Sequence, residues 1–216
     1  MVHQAQIALE PRKIPVQARA AVTVDAIFEA TIQVLLSQGA ERLTTTRVAE
    51  RAGVSVGTLY QYYPNKQSLL FAILENHLDK VSSAVEIACE RARGKPLAEM
   101  VRHVVQKLVD AKMERTDIST ALYQISAEVG GPALVKRTGE RSRKALEAML
   151  KTAPDVASQP ERFAIQMMFS VMAGATRSVL EAGATPVMVQ KLREHLVLLC
   201  QSYMSAVARG GSLKGD

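Results

Sequence analysis

Two turns of chain between Ser55 and Tyr62 carry an unusual density of hydroxyl and amide groups. Small residues let a helix approach a groove closely, hydroxyl groups hydrogen-bond to phosphates or base edges, and methyl groups contact thymine. This composition is suited to contacts with nucleic acid, whereas the plain alternative is a solvated surface helix. The polar or small residues are Ser55, Gly57, Thr58, Tyr60, Gln61 and Tyr62, and the apolar anchors are Val56 and Leu59.

Capping residues and a glycine divide this part of the chain into two short helices. Thr44 is suited to cap the first helix, which the pattern ends near Ala52, and Gly53 supplies the left-handed residue that stops it. Ser55 is suited to cap the second helix, which Pro64 prevents from continuing. A helix, a turn that holds a glycine and a second short helix form a helix-turn-helix unit.

Longer helices are predicted on both sides of this unit. Thr23 is predicted to cap the preceding helix, which Gly39 ends. From about Lys66 the pattern predicts a helix that runs to near Arg93 and belongs to both halves of the chain. The predicted core of the resulting three-helix head is Ile27, Phe28, Thr31, Val34, Leu35, Leu43, Val48, Val54, Leu59 and Tyr63.

Residues 20–72 resemble the DNA-binding signature of the TetR/AcrR family of bacterial transcriptional regulators. The rest of the chain matches that family only in its helical pattern. Helical patterns along the chain predict an all-α fold of about nine helices, with a helix-turn-helix domain at 20–66 and a ligand-binding and dimerisation domain at 67–209. The matching residues are Thr44, Val48, Ala49, Ala52, Gly53, Val54, Ser55, Gly57, Thr58, Leu59, Tyr60, Tyr62, Tyr63, Lys66 and Leu69.

The resemblance implies three roles for side chains of this segment. Phosphate contacts are expected from Thr45, Thr46 and Arg47, base contacts from Ser55, Val56, Gly57 and Thr58, and backbone-fixing contacts from Tyr60, Tyr62 and Lys66. The side chains of Val56 and Gly57 cannot hydrogen-bond to bases. Specificity must therefore come partly from DNA shape and methyl contacts, and partly from Arg47, Thr58 and Gln61. Tyr63 stands where the family usually has Phe, so we expect it in the core.

The charge distribution is compatible with a nucleic-acid partner but does not require one. The net charge is +6 and the pI is about 9.4, yet residues 1–80 carry 8 basic and 7 acidic side chains. Residues 1–19 are predicted to be a disordered basic arm, which either contacts DNA beside the main site or is inert. The tail 210–216 is also predicted to be disordered. Local help for DNA binding is expected from Arg12, Lys13, Arg19, Arg47 and Lys66.

The last two predicted helices, near 163–180 and 186–207, are apolar on nearly all sides. A helix that is apolar all round must be buried all round. Ala173, Gly174 and Ala175 would allow helices to approach closely. We therefore expect a homodimer through a four-helix bundle, as the resemblance also implies. Such a dimer would place two helix-turn-helix units in successive major grooves of a palindromic operator.

A pocket for a small apolar or amphipathic ligand is predicted within residues 95–180. The region is rich in methionine, which lines adaptable apolar cavities, although the same residues could simply fill a core that is poor in aromatic side chains. The predicted lining is Met100, His103, Val104, Leu108, Tyr123, Met149, Gln166, Met167 and Val171.

No enzymatic, cofactor or metal site is expected. The four histidines are scattered without metal-ligand spacing, and the sequence has no phosphate loop or nucleophile elbow. An enzyme on a helical scaffold is therefore disfavoured. Cys89 and Cys200 are predicted to be buried thiols. The alternative function is a DNA-binding regulator without a small-molecule ligand, which a partner protein or cysteine oxidation would control.

Targeting signals are also not expected. No apolar run reaches the ~18 residues that a membrane span needs. The N-terminal segment lacks the apolar region of a signal peptide. We therefore expect a cytoplasmic protein that does not contact a membrane.

Overall fold

The computed structural model describes residues 18–156 and 159–210, with side chains from Ala20 onward. All regular elements of this part of the chain are α-helices, which confirms the predicted all-α fold. Most of the predicted arm, residues 1–17, and the tail from 211 lie outside the described residues. The helices are α1 Ala18–Arg42, α2 Thr45–Ala52, α3 Val56–Tyr62, α4 Lys66–Ala92, α5 Leu97–Met113, α6 Thr116–Ile125, α7 Gly131–Leu150, α8 Arg162–Glu181 and α9 Pro186–Ala208.

The chain forms two compact units. The first contains the residues up to His77 together with Thr120–Leu134, and the second contains Leu78–Ser119 and the chain from Val135 onward. Helix α4 contributes residues 66–77 to the first unit and 78–92 to the second. The domain boundaries that the sequence suggests, 20–66 and 67–209, stay a prediction.

The local signals of the helix-turn-helix segment operate as predicted. The Thr44 hydroxyl accepts a hydrogen bond from the Arg47 backbone N–H at 3.3 Å, and the Ser55 hydroxyl accepts one from Thr58 N–H at 3.0 Å. Gly53 ends α2 with φ 68°, a conformation that glycine adopts without steric cost. The prediction for Thr23 was wrong, because α1 is already helical from Ala18.

Apolar burial holds the three-helix head together. Eight of its ten predicted core residues are buried, whereas Phe28 and Val54 are partly exposed. Burial of each such aliphatic side chain contributes about 1.5–3 kcal/mol to the stability of the folded state. At the start of α4, Asn65 Oδ1 accepts the Ser68 N–H at 2.7 Å, and Ser68 Oγ accepts the Asn65 N–H at 3.3 Å. This reciprocal cap fixes the position of Lys66, the first residue of α4.

The second unit is organised around α5, which packs against α8 and α9. Its N-terminus lacks a local cap, and Asp155 Oδ1 accepts the Leu97 N–H at 2.8 Å instead. The contiguous core includes Met100, Val104, Leu108, Leu146, Met149, Met168, Met172, Leu196, Cys200 and Met204.

Two helices, Ala20–Arg42 and Arg162–Glu181, are long and apolar enough to cross a membrane by length and hydropathy. This is weak evidence, because a core helix of a soluble protein passes the same test.

Two glycines of α7 differ in the space around them and give a matched test of packing. A Cβ atom added at Gly131 would lie 2.4 Å from the Ser126 carbonyl oxygen, whereas one added at Gly139 would make an ordinary 3.4 Å contact with the Phe169 ring. We expect Gly131→Ala to destabilise the protein by about 1–3 kcal/mol, because the backbone at Ser126 or at residue 131 must move to make room for the added methyl group. Gly139→Ala should stabilise it by about 0.5–1 kcal/mol, because alanine restricts the unfolded chain.

Chemical denaturation of both variants measures the difference. A Gly131→Ala variant as stable as Gly139→Ala would contradict the close packing at Ser126.

Candidate nucleic-acid interface

Helix α3 has one anchored side and one open side. Leu59 is fully buried beneath it, while Gly57, Tyr60 and Gln61 are exposed, as is the capping residue Ser55. The exposed fraction of Tyr60 is 41%. The open side therefore presents hydroxyl, amide and backbone groups without an apolar cover, which is the surface that groove contacts require.

Two pairs of hydroxyl groups order this surface. Thr45 Oγ1 and Tyr60 Oη are 3.1 Å apart and join the start of α2 to α3, and Ser55 Oγ and Thr58 Oγ1 are 2.8 Å apart. In each pair one hydroxyl donates to the other. The second hydroxyl of each pair keeps its O–H for an external acceptor such as a phosphate oxygen. The pairs therefore orient the side chains without using all of their donors.

The two predicted DNA-contacting cations have partners within the head. Arg47 Nη1 donates to Gln38 Oε1 at 2.9 Å and to the Arg42 carbonyl oxygen at 2.7 Å. Lys66 Nζ donates to the carbonyl oxygen of Ala40. Sequence patterns missed the acceptors because no short-range signal relates Lys66 to a carbonyl 26 residues away.

Tyr63 is a core residue, as predicted. It is 4% exposed, and its ring centroid lies 5.9 Å from that of Phe28. Burial, with smaller effects from Tyr62 and Asp25, raises the pKa of its phenol to about 12. The ring is thus uncharged at neutral pH and supports α3 from beneath.

All eleven residues predicted to contact DNA belong to the first unit. They lie on α2, on α3 and its cap, and at the first residue of α4. Their contacts with DNA stay a prediction. The set is Thr45, Thr46, Arg47, Ser55, Val56, Gly57, Thr58, Tyr60, Gln61, Tyr62 and Lys66.

The residues predicted to line a ligand pocket are distributed unevenly. Met100, Val104, Leu108 and Met149 are at most 2% exposed and belong to the contiguous core of the second unit. Tyr123 belongs to the first unit. The three that belong to α8 occupy more open positions: Gln166 donates to Ser170 Oγ at 3.0 Å, Met167 is 40% exposed, and Val171 is half-buried.

His103 differs from the other predicted pocket residues. Its Nε2 atom is buried and has no hydrogen-bond partner among the described residues. A buried polar atom without a partner costs about 1–3 kcal/mol, so its presence calls for an explanation such as a bound molecule.

A cleft of about 470 Å³ in the same unit shares none of the nine predicted lining residues. Two ion pairs line the cleft, in which the Asp110 carboxylate accepts hydrogen bonds from the side chains of Arg193 and Lys107. These bonds lower the pKa of the Asp110 carboxyl against the opposing effect of its burial. The lining is Ala84, Lys107, Asp110, Ala111, Met113, Glu114 and Arg193.

Two domain families match the sequence. The family of bacterial regulatory proteins named after TetR matches residues 27–73, and the tetracyclin repressor-like C-terminal domain matches residues 96–204. The chain belongs to the TetR family. Its members are DNA-binding transcriptional regulators, which usually act as dimers with small-molecule ligands, and this confirms that the protein is not an enzyme.

The relatives of this TetR-family chain are also transcriptional regulators, but their sequences match only part of it. The transcriptional repressor KstR of Mycolicibacterium smegmatis is 35% identical over 94 residues, which are 44% of this chain and 45% of KstR. The regulator BetI 1 of Chromohalobacter salexigens is 29% identical over 45% of this chain and 46% of its own. The chain thus spans less than half the length of these curated relatives.

Solved structures share the fold at low sequence identity. A TetR-family regulator of Mesorhizobium loti superimposes with a TM-score of 0.73 at 13% identity, over 88% of this chain and 98% of its own. FadR of Bacillus subtilis in complex with stearoyl-CoA superimposes with a TM-score of 0.64 at 17% identity, over 83% and 98%. These neighbours establish the TetR fold. Among the residues described, no group of three or more His, Cys, Asp or Glu side chains is placed to hold a metal ion.

The two thiols of this TetR-family protein should be chemically inert in the native state. Cys89 and Cys200 are 2% and 0% exposed, and burial, helped at Cys89 by Glu86 and Glu90, raises their pKa values to about 12 and 11. Because the thiolate is the reactive form, labelling with a disulfide reagent at pH 8 should be at least ~100-fold slower than in denaturant. The native rate should rise only as the pH approaches 11. Rapid native labelling at pH 8 would contradict this and revive control by cysteine oxidation.

Proposed function

We propose that the protein is a transcriptional repressor, which binds a palindromic operator as a homodimer and is released by a small-molecule ligand. Residues 20–66 serve as the DNA-binding domain, and residues 67–209 serve for dimerisation and ligand binding. The observation that carries this proposal is the open, polar side of α3 on a three-helix head with a buried apolar core, beside the hydroxyl-bearing start of α2. Occupying a promoter needs no further contacts, so repression is favoured over activation.

Base recognition in this proposal comes from the exposed part of α3. Gln61 is exposed and its amide is able to bond adenine in a bidentate manner, while Thr58 and Val56 supply methyl groups for thymine. Tyr60 and Thr45, paired by their hydroxyls, hold the phosphate backbone. Each protomer makes few base contacts, so DNA shape contributes to specificity.

Exposed apolar side chains on α8 and α9 support the proposed dimer. These two helices pack on each other, yet they leave large apolar side chains in solvent. Five on two adjacent helices are more than the scattered single residues that a monomer tolerates. A second copy of the same two helices would bury them in a four-helix bundle. The exposed fractions are Phe163 69%, Met167 40%, Val187 65%, Leu198 63% and Leu199 50%.

The proposed ligand is a small apolar or amphipathic molecule. The neighbouring structure of FadR contains stearoyl-CoA, a molecule of this chemical class. In this chain the buried Nε2 atom of His103 offers a polar partner on α5, the helix that also bears the apolar core residues Met100 and Val104. Ligand binding would shift the dimer population towards a spacing of the two heads that does not fit successive grooves.

The alternative is a DNA-binding regulator without a small-molecule ligand. The tight burial of Met100, Val104, Leu108 and Met149 favours it. Side chains that pack against one another in a filled core leave no space for a ligand. Of its two forms of control, a protein partner fits better than oxidation, since both thiols are buried. In either case we propose that the protein acts in the cytoplasm, where the chromosome is accessible.

Selection from a pool of random DNA duplexes tests the DNA-binding proposal. We expect a palindromic consensus, whose half-site centres are about 34–36 Å apart or slightly more, at near-physiological salt. The Leu198→Asp variant should be monomeric by light scattering and should lose the palindromic symmetry, because it places a charge in the proposed bundle.

Ile87→Asp is the matched control for this variant. Ile87 is 52% exposed on α4, outside the two bundle helices, and its replacement should leave both the mass and the consensus unchanged. Binding that shows no consensus sequence and disappears on addition of salt would contradict the operator proposal.

The His103→Leu variant tests ligand binding at the buried Nε2 atom of His103. Leucine removes the unpartnered nitrogen and keeps an apolar side chain, so the unliganded protein should be at least as stable as the wild type. Compounds that release the wild-type protein from its operator, with acyl-CoA thioesters tested first, should need at least ~10-fold higher concentration for the variant. Equal potency in fluorescence anisotropy titrations would rule out this contact.

A further inference from the structure

Cationic side chains are scarce in the head, and most of them are bonded to one helix. Residues 20–77 contain four basic side chains, Arg42, Arg47, Arg51 and Lys66, and five acidic ones. Three of the four cations donate to acceptors in the last ten residues of α1. Arg51 Nε donates to Gln33 Oε1 at 2.7 Å, in the same manner as Arg47 donates to Gln38.

The acceptors of Arg47 and Lys66 lie at an irregular point of the backbone. Gly39, with φ 79° and ψ 167°, has a non-helical conformation and kinks α1. Beyond it, the carbonyl of Ala40 accepts the Leu43 N–H at 3.3 Å and the Lys66 ammonium, and the carbonyl of Arg42 accepts the Arg47 guanidinium. Cations are favourable partners for the free carbonyls at a helix C-terminus.

We infer that Arg47 and Lys66 are positioning residues, which hold the α1–α2 turn and thereby fix the starts of α2 and α4 beside α3. This inference rests on the proposed DNA-binding function and changes the role that the family resemblance implies for both residues. The head then contacts phosphates mainly with the uncharged hydroxyls of Thr45, Thr46, Tyr60 and Tyr62. Arg47 and Lys66 keep their charge near DNA, but their bonding capacity serves the turn.

The salt dependence of DNA binding separates this role from a phosphate contact. Each phosphate that a Lys or Arg neutralises contributes about 0.9 to the slope of log K against log salt concentration. A phosphate contact in each protomer of a dimer would therefore contribute about 1.8. A positioning residue contributes to affinity at every salt concentration and leaves the slope unchanged.

The experiment uses the full chain and the operator found by selection, at about 50–200 mM salt. Arg47→Gln and Lys66→Gln should each weaken binding about 3–10-fold, keep the wild-type slope within about 0.3, and lower Tm by about 2–4 °C. Arg51→Gln is the matched control, because it removes an equal charge from α2 outside the predicted contact set. Its slope should equal that of Arg47→Gln.

Gln38→Ala gives a test in which the two roles of Arg47 predict different directions of change in operator affinity. It removes a partner of Arg47 and no predicted DNA contact. If Arg47 acts through the turn, Gln38→Ala should weaken operator binding about 2–3-fold, in the same direction as Arg47→Gln. If Arg47 bonds phosphate, the freed guanidinium should leave the affinity unchanged or raise it. This variant retains Arg47, so it also guards against misfolding of Arg47→Gln.

Several results would overturn the inference. A slope reduced by about 1.8 with an unchanged Tm would make both residues phosphate contacts. Unchanged affinity, slope and Tm would show that neither residue matters. A wild-type protein without any operator would refute the proposed function alone, because the loss of Tm in Arg47→Gln and Lys66→Gln measures the turn without DNA.

Discussion

Helix α3 has only seven residues, and a helix of that length is not stable in water by itself. Its position is therefore determined by what lies beneath it and at its two ends. Leu59 is fully buried, Ser55 caps the first turn, and Tyr63 anchors the last turn against Phe28. Pro64 and the reciprocal cap of Asn65 and Ser68 then start α4 at once, which leaves the segment little freedom to shift. The open side of α3 is held in position because its opposite side packs into the core.

Hydrogen bonds to backbone carbonyls also hold the neighbouring helices in position. After Gly39 the backbone of α1 leaves the regular helical conformation, and backbone carbonyls at such a point need donors from outside the helix. Arg47 and Lys66 bond these carbonyls from two different helices. Such bonds are longer in range than capping interactions but serve the same chemical need. Residues 20–77 contain fewer basic than acidic side chains, so these two cations do not create a strongly positive field at the polar surface.

Sequence alone predicted the elements of the head well, because their signals are local. Thr44, Gly53, Ser55 and Pro64 mark boundaries within one turn of themselves, and the structure agrees with each. Thr23 failed because a capping residue type is also tolerated inside a helix when the surrounding apolar pattern continues. The partners of Arg47 and Lys66 could not be predicted, since they depend on where a distant carbonyl lies after folding. For the same reason, methionines that line a cavity and methionines that fill a core have the same spacing, and only burial distinguishes them.

The small size of α3 bears on why the protein should need a second copy. One short helix reaches few base pairs, and its nearly neutral head gains little from counterion release. A single head would therefore discriminate weakly against the many competing sites of a genome. Joining two heads makes the second binding event intramolecular, which raises affinity by orders of magnitude without any new contact. The apolar residues that α8 and α9 leave exposed, such as Phe163 and Leu198, are in this view part of the DNA-binding apparatus. Any molecule that alters the bundle would then act on DNA affinity through the spacing of the heads, with no contact to α3 itself.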